Sequence, residues 1–221
     1  MTIEAVVFDA YGTLFDVMSV ETTVKNVVHN AVEFTALWRA KQLEYAFLRT
    51  LMNHYADFWQ VTGDALDYTA ARFELDLQAE QRETLLDAWL NVQAFPDAAD
   101  ALANLTRYRR AILSNGTPAM IHAAVTANGL EQLLDTVLSV EQVRMFKPRP
   151  EVYALVEQEL GVAPQATAFV SSNGWDVVGA AAFGFQVYWI NRNAWPYERL
   201  GVQPTATVHS LRELVAALQP M

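Results

Sequence analysis

Short apolar runs alternate with helical hydrophobic patterns along most of the chain. Runs typical of buried parallel strands span residues 3–9, 110–114, 166–171 and 186–190, with weaker ones at 136–139 and 206–208. Helical patterns lie between them at residues 96–106, 118–128, 149–160 and 175–183, and a last one begins at Leu211. Because strand and helix alternate in this way, the pattern predicts an α/β fold with a doubly wound, Rossmann-like and mostly parallel sheet.

The segment between residues 16 and 95 differs from the rest, because it contains helical patterns and no convincing strand. It interrupts the alternation directly after the first predicted strand, and we expect the chain to return to the sheet at a hinge near Pro96. The sequence therefore predicts two domains: an α/β core formed by residues 1–15 and 96–221, and an inserted helical cap formed by residues 16–95.

The cap segment contains an unusually apolar helical pattern. Aromatic and aliphatic residues recur at three- and four-residue steps from Phe34 to Trp59, apart from one turn skipped at Lys41, which predicts a single helix of roughly 25 residues. A second apolar face includes Leu37 and Leu51. Such a helix has to be covered on both sides, by its own small bundle and by either the α/β core or another subunit, so we expect a homodimer.

Composition narrows the range of functions. The 221 residues are 52% hydrophobic and 18% charged, which is typical of a compact globular protein. The formal charge of −10 disfavours nucleic acid and anionic membrane surfaces as partners. The absence of cysteine excludes disulfides, thiolate metal sites and thiol catalysis, and the four histidines show no metal-ligand spacing. With no signal-peptide pattern and no apolar run approaching roughly 18 residues, we expect a cytoplasmic protein.

Polar residues follow the predicted strands at the edge where open parallel sheets bind their ligands. Asp9 ends the first run, Ser114 and Asn115 end the second, Lys147 precedes a helix, and the run at 166–171 leads into a polar stretch that ends at Asp176. Taken singly, each residue also has an ordinary interpretation as a turn residue, a helix cap, a solvated lysine or an acid in the first turn of a helix. Together they indicate one site with two carboxylates and a cation.

This order of residues resembles the haloacid dehalogenase superfamily, and the resemblance covers essentially the whole chain, including the inserted cap. Members of that superfamily use the first-strand aspartate as a covalent nucleophile. Its phosphatases carry a second aspartate, which donates and recovers the leaving-group proton, and a further pair of acids where they hold magnesium. This sequence has Tyr11 in place of the second aspartate and Ser172 in place of a magnesium-binding acid. Magnesium binding should therefore be weak, and phosphoryl transfer would lack the cation that neutralises the phosphate charge.

The departures match the L-2-haloacid dehalogenase branch instead. The motifs that resemble it are Asp-Ala-Tyr-Gly-Thr-Leu-Phe-Asp at 9–16, Leu-Trp-Arg-Ala-Lys-Gln-Leu-Glu-Tyr at 37–45, Leu-Ser-Asn-Gly at 113–116, Lys-Pro at 147–148, Tyr153, and Ser-Ser-Asn-Gly-Trp-Asp at 171–176. The segment in the cap is the most specific of these. Displacement of halide from carbon needs a nucleophile such as a carboxylate, and halide leaves without a proton, so Tyr11 can wall an apolar pocket.

The resemblance also implies a division of roles. Asp9 attacks C2, and the donors for the departing halide are Arg39 from the cap and Asn115, with Trp175 lining the pocket. Ser114 and the turn N–H groups around Ala10 and Tyr11 hold the substrate carboxylate.

Further residues are expected to support the two reacting groups. Lys147 keeps Asp9 ionised, Tyr153 positions Lys147 or the substrate, and Thr13 orients Asp9, although a plain turn role for Thr13 is an alternative. Asp176 is the expected general base for ester hydrolysis, aided by Ser171 and Asn173. Leu43 and Phe58 match apolar pocket positions, but they could equally belong to the cap core.

The sequence therefore predicts a hydrolase that converts short L-2-haloalkanoic acids to D-2-hydroxy acids with inversion, using water, releasing halide and needing no metal or cofactor. Two alternatives stay open: a phosphatase with an altered metal site, and a binding protein that retains a small carboxylate without turnover. Ala40 is smaller than the polar residue expected beside Arg39, which leaves the size of the substrate open.

Overall fold

The structure, a computed structural model, describes residues 2–219 of the chain. In chain order the strands are β1 (Ala5–Phe8), β2 (Phe15–Asp16), β3 (Gln93–Ala94), β4 (Arg109–Ser114), β5 (Thr136–Ser139), β6 (Thr167–Ser171), β7 (Gln186–Ile190) and β8 (Ala206–Val208). The helices are α1 (Glu21–Val24), α2 (Ala31–Leu51), α3 (Phe58–Arg72), α4 (Ala79–Asp87), α5 (Ala98–Asn104), α6 (Pro118–Ala127), α7 (Pro150–Leu160), α8 (Gly174–Phe183) and α9 (Leu211–Leu218).

Within residues 2–219, six strands form one parallel sheet in the order β5-β4-β1-β6-β7-β8. The predicted α/β fold is confirmed, including the two strands with weak patterns. The chain runs outward from β1 through β4 to β5 and then returns to the other side of β1 for β6, β7 and β8. The strand order therefore reverses beside β1, and the crevice at the carboxyl ends of β1 and β6 is where such a sheet binds its ligand.

The central strand is buried along its whole length, which is why it appears in the sequence as a continuous apolar run rather than an alternating one. Phe8, its last residue, lies level with Ile112 on one side and Val170 on the other, so the three neighbouring strands end close together. Residues that immediately follow these strands are thereby brought to one edge of the sheet. No helix in the described part of the chain is both long and apolar enough to span a bilayer.

The prediction of one long cap helix is wrong. Its first part is α2, which ends at Leu51, and its last part begins α3 at Phe58. Asn53 adopts a left-handed backbone conformation with φ of 52°, and the carboxylate of Asp57 caps the next helix by accepting a hydrogen bond of 2.8 Å from the N–H of Gln60. The two helices then pack against each other, and Phe34 of α2 is completely buried.

A short antiparallel ladder of β2 and β3 lies where the chain leaves and re-enters the core, with Phe15 opposite Ala94 and Asp16 opposite Gln93. The sequence pattern does not indicate these strands, because two residues are too few to show a period. The predicted boundaries at residues 15–16 and 95–96 lie at or beside this ladder, and the division into two domains stays a prediction.

Candidate active site

Side chains from the sheet edge and from the cap helices together enclose a small cavity. The free space inside it leaves room for roughly one water molecule. Its walls are formed by Asp9, Tyr11, Arg39, Leu43, Phe58, Ser114, Asn115, Asn173 and Trp175. Every one of these residues belongs to the site that the sequence predicts, and the structure brings the nucleophile candidate and the cap arginine to the same cavity.

The carboxylate of Asp9 is held by donors on both oxygens. Oδ2 accepts hydrogen bonds from Thr13 Oγ1 at 3.1 Å and from Asn173 Nδ2 at 2.8 Å, and Oδ1 accepts one from Lys147 Nζ at 3.1 Å. The hydroxyl of Thr13 is itself fixed, because it accepts a hydrogen bond of 2.9 Å from the N–H of Ser172. This arrangement fixes the direction of the carboxylate.

The turn after β1 exposes backbone donors beside this carboxylate. Gly12 adopts a φ of +95°, which is left-handed backbone that other residues rarely adopt, and the carbonyl of Ala10 accepts hydrogen bonds from the N–H groups of Thr13, Leu14 and Phe15. Among the described residues, the N–H groups of Ala10 and Tyr11 have no partner in this turn. Their role as donors to the substrate carboxylate stays a prediction.

Lys147 lies between two buried carboxylates. Its Nζ donates to Asp9 Oδ1 at 3.1 Å and to Asp176 Oδ2 at 3.0 Å, and its side chain is completely buried. Burial opposes the positive charge, but the charges of Asp176 and Asp9 outweigh it and raise the pKa of Lys147 above its ordinary value. The ammonium therefore stays charged and occupies the space between the two acids.

Asp176 shares that single ammonium with Asp9. Its complete burial raises its pKa to about 6, although Lys147 works in the opposite direction, and the negative charge of Asp9 adds to the rise. The phenol of Tyr153 donates a hydrogen bond of 2.8 Å to Asp176 Oδ1. Tyr153 was expected to position Lys147 or the substrate; the structure instead directs its hydroxyl to Asp176, because the tyrosine is buried behind the second acid rather than lining the cavity.

Arg39 reaches the cavity from α2. Its guanidinium lies over the ring of Trp89, with Cζ 5.7 Å from the ring centroid, and Nη1 donates to Gln42 Oε1 at 3.3 Å. Burial lowers its pKa, while the charge of Asp9 and the phenol of Tyr11 act to raise it. Arginine remains charged at any relevant pH, so the cavity contains a fixed positive charge from the cap.

The remaining predicted side chains form the ends of β4 and β6. Asn115 Oδ1 accepts a hydrogen bond of 3.0 Å from the N–H of Lys147, which leaves the donor end of this amide for a ligand. Ser114 Oγ lies on the cavity wall and accepts a hydrogen bond of 3.1 Å from the N–H of Gly116. Ser171 does not line the cavity, and its hydroxyl accepts a hydrogen bond of 3.1 Å from the N–H of Asn173. It holds the turn that presents Asn173 to Asp9.

A family model described as haloacid dehalogenase-like hydrolase matches residues 3–184. This chain belongs to the haloacid dehalogenase-like hydrolases. Among similar members, the (S)-2-haloacid dehalogenase of Pseudomonas sp. strain YL is 47% identical over 216 residues, covering 96% of this chain and 93% of the relative. That of Xanthobacter autotrophicus is 50% identical over 186 residues, covering 84% of this chain and 74% of the relative.

A solved structure of this hydrolase family has nearly the same fold. It is the L-2-haloacid dehalogenase of Xanthobacter autotrophicus with chloropropionic acid covalently bound, with a TM-score of 0.94, 41% identity and full coverage of both chains. The likeness extends over the cap as well as the sheet. The roles of the individual side chains in this haloacid dehalogenase-like hydrolase are still predictions.

Three residues near the hydrolase site were not predicted from the sequence. Gln42 is completely buried behind Arg39, and Trp89 packs under the same guanidinium. Gly179 lies on α8 against Tyr153. A polar residue within an otherwise apolar stripe could have drawn attention to Gln42, whereas the positions of Trp89 and Gly179 depend on contacts between distant parts of the chain.

Gly179→Ala is expected to displace Tyr153, which hydrogen-bonds to Asp176. A Cβ built at this position lies 2.5 Å from the hydroxyl oxygen of Tyr153 and 2.5 Å from Cβ of Pro148, so Tyr153 has to move away from Asp176. We expect a loss of about 1–3 kcal/mol in the free energy of unfolding, measured by urea denaturation. The matched control is Gly63→Ala on α3, where the nearest atom is the movable end of Arg82 at 3.0 Å. Equal stability of the two variants would contradict this prediction.

Proposed function

We propose that this protein hydrolyses short L-2-haloalkanoic acids to D-2-hydroxy acids, with inversion at C2, through an ester on Asp9. The observation that carries the proposal is the shared small cavity into which both the carboxylate of Asp9 and the cap residue Arg39 project. Two relatives at 47% and 50% identity are named (S)-2-haloacid dehalogenase. A structural neighbour is named L-2-haloacid dehalogenase and contains covalently bound chloropropionic acid.

In the first step, a carboxylate oxygen of Asp9 attacks C2 from the side opposite the halogen. A carbon–oxygen bond forms as the carbon–halogen bond breaks, and the bonding electron pair leaves with the halide, which inverts the configuration. Arg39 and the amide of Asn115 supply positive and donor groups where the halide charge grows, and Trp175 walls the same space. No proton is needed, which fits an uncharged phenol at Tyr11.

The substrate is held so that C2 faces Asp9. The hydroxyl of Ser114 and the N–H groups of Ala10 and Tyr11 are the candidate donors for its carboxylate, and the apolar side chains of Leu43 and Phe58 face its alkyl group. Fixed geometry makes the attack effectively intramolecular.

In the second step, water adds to the carbonyl carbon of the Asp9 ester. Asp176 takes one proton of that water, directly or through the network that Lys147 holds. The bond between the carbonyl carbon and the ester oxygen then breaks, Asp176 returns its proton to the departing oxygen, and the second proton of the water leaves the Asp9 carboxyl for solvent. The product alcohol keeps the oxygen that Asp9 supplied, and Asp9 recovers an oxygen from water. The configuration set at C2 in the first step is therefore retained in the second.

Release of chloride from L-2-chloropropionate, measured with an ion-selective electrode and unaffected by chelator, is the expected result. Magnesium-stimulated hydrolysis of p-nitrophenyl phosphate would favour the phosphatase alternative, and calorimetric binding of lactate without any product would favour a binding protein. The ammonium of Lys147 between Asp9 and Asp176 argues against a divalent cation there. No halide release from any 2-haloacid would overturn the proposal.

The pKa of Asp176, about 6, predicts how activity depends on pH. A general base works in its ionised form, so the rate of ester hydrolysis should fall as pH drops through about 6, by tenfold for each further pH unit. In single-turnover experiments the ester should then accumulate at low pH. Asp176→Asn should accumulate the same ester at every pH, visible in the mass spectrum of the intact protein. A variant that turns over at the wild-type rate would exclude Asp176 as the base.

We also propose that two copies of the chain associate, as the apolar cap helix predicts. Leu48 and Leu51 in the last turn of α2 and Met52 directly after it are exposed, and Leu51 lines an apolar groove that also includes Leu200. A second copy covering this face would remove the apolar surface from water. Sedimentation equilibrium should report a dimer, and Leu51→Lys should shift it toward monomer; a monomeric wild-type protein would contradict the proposal.

A further inference from the structure

Gln42 is a completely buried amide on α2, one helical turn after Arg39. Its Nε2 donates to Thr62 Oγ1 of α3 at 3.0 Å, and its Oε1 accepts from Arg39 Nη1 at 3.3 Å. A buried amide that joins a site residue to a second helix is not needed for an apolar cap core. An aliphatic residue of similar size would fill the same space without having to satisfy two hydrogen-bonding groups.

The hydrogen bonds of Thr62 determine which way this amide points. The hydroxyl of Thr62 donates its only hydrogen to the carbonyl of Phe58 at 2.7 Å. It can therefore only accept from Gln42, which turns the NH₂ of the amide toward Thr62 and its oxygen toward Arg39. A guanidinium has donors and no acceptor, so this is the one orientation of Gln42 that attracts Arg39.

The guanidinium is thus held on two sides. Gln42 binds one of its nitrogens, and the face of the Trp89 ring packs against it with Cζ 5.7 Å from the centroid. Thr62 is itself fixed within the cap, because its backbone carbonyl accepts a hydrogen bond of 2.9 Å from Trp38 Nε1. Its hydroxyl is bonded to Phe58, which is another wall of the cavity.

We infer that Gln42, oriented by Thr62, is the positioning residue that aims Arg39 at the departing halide. The inference rests on the proposed function and adds a specific element to it. Neither Gln42 nor Thr62 lines the cavity, so neither touches the substrate. They act on the first step alone, where negative charge develops on the halogen, and ester hydrolysis at Asp9 and Asp176 does not depend on them.

The test compares chloride with bromide as the leaving group in Thr62→Val, Thr62→Ser and Gln42→Met. Single-turnover halide release from L-2-chloropropionate and L-2-bromopropionate is followed by rapid quench, and ester decay is followed by mass spectrometry. In Thr62→Val and Gln42→Met, chloride release should slow by about 10- to 100-fold, as expected for a misplaced catalytic group. Bromide release should slow less, because bromide is the better leaving group and depends less on Arg39. The rate of ester decay should be unchanged.

The matched control for loss of a buried hydroxyl is Thr69→Val. Thr69 is also completely buried on α3, and its hydroxyl donates to the carbonyl of Ala65 at 2.7 Å, which is the bond that Thr62 makes to Phe58. Thr69→Val and Thr62→Ser should keep the wild-type ratio of bromide to chloride rates. A wild-type ratio in Thr62→Val and Gln42→Met, or an equal change in Thr69→Val, would overturn the inference. Absence of halide release from the wild-type protein would instead overturn the proposed function.

Discussion

Replacement of Asp9 by asparagine should abolish halide release, with a fall in kcat of about 10⁴-fold or more, the scale seen when a catalytic nucleophile is removed. The amide is uncharged and a poor nucleophile toward carbon. It also places an NH₂ group among the donors of Thr13, Asn173 and Lys147, all of which now point at the carboxylate. The measurement is the rate of chloride release at saturating L-2-chloropropionate.

The matched control is Asp16→Asn, in the same sequence motif. Asp16 lies at the end of the short ladder strand β2, and its carboxylate accepts a hydrogen bond of 2.9 Å from the N–H of Met18. Asparagine can make the same bond, so this variant should keep activity. Substantial turnover by Asp9→Asn would show that the nucleophile is another group.

Isotope labelling tests the covalent ester that this prediction assumes. When a single turnover is run in H₂¹⁸O, the heavy oxygen should enter the carboxylate of Asp9, and the first product molecule should carry ordinary oxygen. Repeated turnovers then transfer the label to later product molecules. Labelled product in a single turnover, with unlabelled Asp9, would mean that water attacks C2 directly.

Lys147→Met should be the most destabilising substitution in the site. It leaves the carboxylates of Asp9 and Asp176 buried side by side without the ammonium that now lies 3.1 Å and 3.0 Å from them. Removal of one partner from a buried ion pair costs about 3–5 kcal/mol of unfolding free energy. Activity should be lost as well, because Asp9 Oδ1 loses the hydrogen bond from Lys147 Nζ that helps to fix the direction of its carboxylate. Urea denaturation and halide release measure the two effects.

The pH dependence of this variant separates charge from packing. A protonated carboxyl does not need a cation, so the stability difference between Lys147→Met and wild type should shrink as the pH falls and Asp176, whose pKa burial raises to about 6, takes up a proton. Lys25→Met removes a lysine whose ion pair with Glu21 is on the surface, and its cost should stay below about 1 kcal/mol. A stability difference for Lys147→Met that does not vary with pH would point to lost packing instead.

Much of the core and of the site could be predicted from the sequence for one physical reason. Parallel strands buried on both faces leave continuous apolar runs, and the residues after those runs meet at one sheet edge, which brings Asp9, Ser114 and Asn173 together. The same reasoning does not predict which groups Tyr153 and Gln42 contact. Their roles depend on which buried hydrogen-bond partner they face, and no spacing in the chain encodes that.

The cap shows where periodicity misleads. The apolar spacing carries on from the end of α2 into α3, although the helix ends at Leu51 and Asn53 adopts a left-handed conformation between them. A connection of a few residues can keep apolar positions in step while the backbone turns, so an unbroken pattern does not prove an unbroken helix. Strands β2 and β3 could not be predicted for a different reason, because two residues are too few to show a period.

The size of the cavity sets a condition on every catalytic cycle. The cavity, which Arg39, Leu43 and Phe58 line from the cap side, has too little free space for a haloacid as it stands. Each turnover therefore requires the cap residues to move away from the edge of the sheet, and such motions in enzymes take microseconds to milliseconds. If this motion rather than bond breaking limits the rate, kcat should fall as the viscosity of the solvent is raised.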